Sequence, residues 1–96
     1  MTAQQKELFH LAILRVLDSN RTRFGLGMVA IGHHLPQFGF GLSSFDCEKE
    51  WFEELSNAID YLTSKRLVEE VLKHVDRANR AWRITTEGID YVDQRG

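Results

Sequence analysis

The 100° turn per residue of an α-helix sorts the stretch from Lys49 to Arg66 into two faces. Trp51, Phe52, Leu55, Ala58, Ile59 and Leu62 fall on one side, at the spacings of three, four and seven that a core-facing helix needs. Glu50, Glu53, Asn57, Asp60 and Ser64 fall on the other, a polar and mostly acidic stripe. The rest of the chain is organised around this element.

Upstream, Thr2 with Gln5 three residues later has the spacing of a capping box, and predicts a first helix that runs to about Ser19 and closes at Asn20. Leu8, Phe9, Leu11, Ala12, Ile13, Leu14, Val16 and Leu17 cover more than half of its circumference. That is more than one small core usually takes up, so this helix either lies at the centre of the fold or packs partly against a second copy. A polar connection with Arg21 and Arg23 leads to a shorter helix over about Gly25 to Leu35, which Pro36 is expected to stop because the residue before a proline is pushed out of the helical region. Gln37 to Gly41 reads as a turn, with Leu42 as a buried anchor and Ser43 or Ser44 as the next cap. Helical spacing would put Glu48 with Leu55 and Leu62, where a carboxylate is costly to bury. The segment from Phe45 to Glu48 is therefore expected to form a separate turn or loop, with the long helix starting near Lys49.

Beyond Arg66 the period changes. Leu67 to Val75 is rich in valine and leucine, residues 76–80 have the composition of a turn, and Ala81 to Ile84 places Trp82 and Ile84 two apart. This predicts a β-hairpin. Thr85 or Thr86 then caps a short last helix with Ile89, Tyr91 and Val92.

Ninety-six residues suffice for a single domain, 1–96, with one core. Hydrophobic residues at 43% and charged residues at 27% fit a folded chain. A formal net charge of -2 gives no global attraction to nucleic acid or to an anionic membrane, so any such contact must be local. Cys47 is the single cysteine, which excludes an internal disulfide and a thiolate zinc cluster. The longest apolar runs are too short to span a bilayer, and a cytoplasmic protein with no membrane contact is expected.

Helix, helix, long helix, hairpin, short helix is an order that resembles a winged helix-turn-helix. The resemblance is carried by Leu42-Ser43-Ser44, by Ala58-Ile59-x-Tyr61-Leu62 leading to Leu67-Val68, and by Ile84-Thr85-x-x-Gly88. The pattern is similar to that of bacterial winged-helix regulators and of small winged-helix proteins of Mu-like prophages. It implies an α+β, mainly α fold of three helices, a β-hairpin wing and a short C-terminal helix, in a transcription regulator or phage accessory protein. Two departures stand out. Arg66 occupies the usual place of a glycine, so the long helix should end without the easy left-handed cap. The interval from Gly39 to Leu67 also exceeds the family's spacing, which points to an insertion near Phe45 to Glu48.

The resemblance implies that the third helix enters the major groove of duplex DNA and that the wing touches the backbone. Groove-facing positions would be Lys49, Glu50, Glu53, Ser56, Asn57 and Asp60, of which Lys49, Ser56 and Asn57 suit phosphate or base edges. The three acids oppose phosphate. The wing holds Lys73, His74, Arg77, Arg80 and Arg83 against Asp76, a cluster suited to tracking a backbone, and Arg21 and Arg23 could extend it. Double-stranded DNA held through Lys49, Ser56, Asn57, Lys73, Arg77, Arg80 and Arg83 is therefore one expectation, with a homodimer through the first helix. The other is a protein partner met by Glu50, Glu53 and Asp60, with Phe24, Phe38 and Phe40 either as an exposed apolar patch or, the reading that small cores favour, as core or loop anchors. Charge geometry separates the two: a continuous basic face across wing and helix favours DNA, and a basic wing tip beside an acidic helix favours protein.

Neither enzyme nor metal chemistry is expected, and no cofactor. His33 and His34 are adjacent and diverge on a helix, so they cannot share a metal without a third ligand from elsewhere. Asp46 and Glu48 flank Cys47 and oppose the thiolate that a nucleophile needs. The carboxylates lie along a helix face with no acid/base pair, and Gly25-Leu26-Gly27 and Gly39-Phe40-Gly41 lack the continuation of a phosphate loop.

Overall fold

The computed structural model describes residues 2–21, 25–41, 45, 47–71 and 80–95. Helix α1 spans Ala3–Ser19, strand β1 Leu26–Gly27, helix α2 Met28–His34, a 3-10 turn Leu35–Phe38, helix α3 Glu48–Ser64, strand β2 Val68–Val71, strand β3 Ala81–Ile84 and helix α4 Thr86–Arg95. The class is α+β and mainly α: four α-helices with a small antiparallel sheet of order β1-β3-β2.

Helix α1 forms as the capping pattern predicts. The Gln5 N–H donates to Thr2 Oγ1 at 3.2 Å and the Thr2 N–H donates to Gln5 Oε1 at 2.9 Å, so two of the helix's first amide groups are paired. At the other end the Asn20 backbone N–H and Nδ2 both donate to the Val16 carbonyl. Phe9, Ala12, Ile13, Leu14, Val16 and Leu17 are buried, and the helix touches α2, the 3-10 turn, α3, β3 and α4. Helix α1 is therefore the axis of the core. Helix α3 buries Leu55, Ala58, Ile59 and Leu62 against it, with Trp51 and Phe52 half-buried beside them. Each such leucine or isoleucine contributes roughly 2 kcal/mol by leaving water.

The region before α3 differs from the expected pattern. A helix beginning at Gly25 is replaced by a turn in which Gly25 has φ +70°, followed by β1, and α2 begins only at Met28. A Cβ on Gly25 would lie 2.7 Å from the Trp82 carbonyl, so the close approach of β3 leaves room for glycine alone. Leu26 and Gly27 then pair with Trp82 and Ala81. Two residues are too few to show an alternating pattern, so this strand had no signal in the sequence. Pro36 does not simply stop α2. Leu35, ahead of it, keeps helical angles of φ -61° and ψ -34°, and the chain tightens into the 3-10 turn before Gly39 reverses it at φ +87°. The expected anchor Leu42 and caps Ser43 and Ser44 lie outside the described residues. Of the expected loop before α3, Phe45 packs its ring 5.9 Å from that of Phe9, and Cys47 is the cap of α3, its Sγ accepting from the Glu50 N–H at 3.4 Å. Glu48 is then the first helical residue and exposed, which spares the core its carboxylate.

Helix α3 ends in the left-handed cap that was expected to be missing. Arg66 itself takes φ +61°, the Leu67 N–H donates to the Leu62 carbonyl at 3.0 Å and the Arg66 N–H to the Thr63 carbonyl at 3.0 Å. This is a Schellman arrangement built on a residue with a Cβ, at a cost of about 1 kcal/mol. The next residues are held by Thr85. Its hydroxyl donates to the Arg66 carbonyl at 2.6 Å and accepts from the Gly88 N–H at 3.1 Å, and its own N–H donates to the Leu67 carbonyl at 3.1 Å. Gly88 is buried in the first turn of α4, where a Cβ would sit 2.1 Å from the Leu67 carbonyl oxygen and 2.6 Å from Ile84 Cγ1.

Gly88→Ala should therefore lower stability by about 3 kcal/mol, since backbone and not a flexible side chain has to yield. Arg66→Gly should raise it by about 0.5 kcal/mol through relief of the left-handed strain. Urea unfolding monitored by circular dichroism measures both, and a Gly88→Ala midpoint equal to that of the parent chain would contradict the packing described.

Candidate recognition surface

The amphipathic reading of α3 places its polar residues as found. Glu50, Glu53, Asn57 and Asp60 are exposed, Ser56 is half-buried, and Lys49 is exposed. Lys49 Nζ lies 4.0 Å from Glu53 Oε1, with side-chain exposures of 86% and 63%. In water a pair this open contributes little to stability. It does place the one cation among these residues beside an acid of the same face.

The basic wing expected from the sequence is only partly within reach, because Lys73, His74 and Arg77 lie outside the described residues, as do Arg23 and Phe24. The two arginines of this cluster that are described, Arg80 and Arg83, are paired. Antiparallel register sets Glu69 opposite Arg83 and Glu70 opposite Trp82. Arg83 Nε donates to Glu69, while Arg80 Nε donates to Glu70 Oε1 at 2.8 Å and Nη2 to Oε2 at 3.3 Å. This fork holds the Glu70 carboxyl below the usual carboxylate range, chiefly through the hydrogen bond from Arg80, and raises Arg80 in turn. The Arg80 guanidinium also lies 5.1 Å from the centre of the Trp82 ring. Arg21 is bonded to Asp18, three residues before it. The antiparallel pairing of β2 with β3 thus brings Glu69 and Glu70, acids that lie outside the turn between the strands, to Arg83 and Arg80. A concavity of 540 Å³ near Arg21 and Arg83 is lined as well by Glu69 and Glu87, so its charges balance and it is no cradle for an anion.

Of the three phenylalanines Phe24 lies outside the described residues, and the other two are anchors against the core that remain partly accessible. Phe38 and Phe40 are partly buried against the core, Phe40 lies 5.2 Å from Phe9 ring to ring, and its carbonyl accepts from Trp51 Nε1 at 3.3 Å. His10 of α1 and Tyr61 of α3, which no local pattern connects, stack with ring centres 4.7 Å apart at 17°. Burial lowers the His10 pKa, Lys6 lowers it further, and Glu54 and Glu7 partly oppose them.

Among the described residues no group of three His, Cys, Asp or Glu side chains could hold a metal ion. No helix of the described residues is long and apolar enough to cross a membrane. No protein-family model matches the chain, and no curated protein matches it.

A histidine held neutral in the fold costs nothing above the free-histidine pKa of about 6.5, and stability is lost as pH falls below it, because the unfolded chain takes up the proton first. The urea midpoint should therefore drop between neutral and mildly acidic pH, and His10→Phe, which keeps an aromatic ring against Tyr61, should flatten that part of the profile. An unchanged slope in the variant would assign the titration to another group.

Proposed function

We propose that the chain is a non-catalytic winged-helix module that binds a protein with a basic surface through the outward face of α3, in preference to duplex DNA. The observation that carries this reading is the pairing of charge. Arg80 and Arg83 are engaged by Glu70 and Glu69, while Glu50 and Asp60 stand on α3 with no ion pair among the described residues. A phosphate backbone would meet the exposed acids of α3, and to use the two arginines it would first have to displace their carboxylates. A basic partner meets the acids with favourable charge, which steers its approach and fixes its register.

The winged-helix reading itself is supported by the order of elements, with α2 and α3 ahead of the β2–β3 pair and β1 on the far side of β3. It is supported also by the interlock of Arg66, Leu67, Thr85 and Gly88, which gives the Ile84-Thr85-x-x-Gly88 pattern a physical basis.

The test has two arms. Fluorescence anisotropy of a labelled random duplex at low salt should show no binding by the parent chain, and Glu69→Gln with Glu70→Gln, which releases both arginines, should produce weak binding that fades as salt rises. Chemical cross-linking in cells should capture a partner that is lost with Glu50→Lys, Glu53→Lys and Asp60→Lys together. Salt-sensitive duplex binding by the parent chain, removed by Lys73→Ala with Arg77→Ala, would replace this reading with DNA recognition.

A further inference from the structure

Three large apolar residues of the described chain are markedly exposed: Leu8 at 50%, Val29 at 64% and Tyr61 at 48%. Tyr61 is accounted for, with His10 stacked on its ring and Lys65 Nζ 5.7 Å from its centre. Leu8 differs from Val29 in what adjoins it. It stands at the edge of a groove of 410 Å³ between α1 and the 3-10 turn, lined also by Leu11, Ala12, Arg15, Phe38 and Phe40. The groove is apolar apart from Arg15 and Gln37, and Arg15 has no ion pair among the described residues.

We infer that this groove is the contact through which two copies of the chain associate, α1 against α1 about a two-fold axis at Leu11. Charge order along α1 selects both the occupant and its direction. Glu7, Leu11 and Arg15 are four residues apart and share one line of the helix. When a second α1 runs antiparallel across it with the two Leu11 side chains in contact, Glu7 of each copy meets Arg15 of the other. A parallel arrangement would set like against like. Glu7 already accepts from Arg95 Nη1 at 2.8 Å, but its side chain is 56% exposed, which leaves room for a second cation. Leu8 of each copy then enters the other's groove, an isologous contact that closes at two. Helix α1 has 17 residues and so a length of about 25 Å. With the flanking segment 35–40 it offers a contact at the small end of the interface range, where standard interfaces bury roughly 800 Å² per partner. The inference does not rest on what α3 recognises.

Sedimentation velocity across a concentration series, from low micromolar to submillimolar, tests it. The parent chain should pass from a monomer of 11.1 kDa to a species of twice that mass and stop there. Leu8→Asp, at a half-exposed position whose change leaves the core intact, should weaken the dimer roughly ten- to hundred-fold. Arg15→Glu should weaken it too, and Glu7→Arg combined with Arg15→Glu should recover it, with circular dichroism confirming that each variant is folded. A parent chain that stays monomeric throughout, a mass that grows past the dimer, or a dimer that persists unchanged in Leu8→Asp would each overturn the assignment.

Discussion

The structure depends on one close contact, that of the first turn of α4 with the chain leaving α3. The Leu67 carbonyl oxygen lies where any side chain on Gly88 would have to be, and Thr85 ties the same place together with a hydroxyl that donates to Arg66 and accepts from Gly88. Through these few atoms the end of α3, the end of β3 and the start of α4 hold one another. The close approach also explains why Arg66 tolerates a left-handed backbone, since the bonds around it cannot all form unless the helix turns off sharply there.

Register follows from that junction. With Leu67 held to Thr85, Val68 must stand opposite Ile84 and Glu69 opposite Arg83. A shift by one residue would bring Val68 out of the core and expose Trp82, so the hydrophobic pattern and the junction enforce the same pairing. The electrostatic character of the surface is a consequence. Arginines that look free along the sequence become partners of glutamates across the sheet, while Glu50 and Asp60 of α3 have no ion pair among the described residues and Glu53 has only the open contact with Lys49. Both strands and helices thus contribute to the charge balance on which the proposed choice of partner rests.

Periodicity alone determined the long elements. Helices α1 and α3 are read from their apolar spacing, the Thr2 and Gln5 box starts α1 as its chemistry requires, and the acidic stripe of α3 is exposed residue for residue. These features are local: a helix makes its hydrogen bonds within itself, and its buried face is legible from neighbours three and four residues apart. What only the tertiary structure decided involves residues far apart in the chain. Strand β1 exists because Trp82 and Ala81 lie beside Leu26 and Gly27, the left-handed turn at Arg66 because Thr85 waits for its carbonyl, and the paired charges on β2 and β3 because Glu69 and Glu70 cross to Arg83 and Arg80. No periodicity reports such pairings, since they are set by distances through space that the order of residues along the chain does not contain.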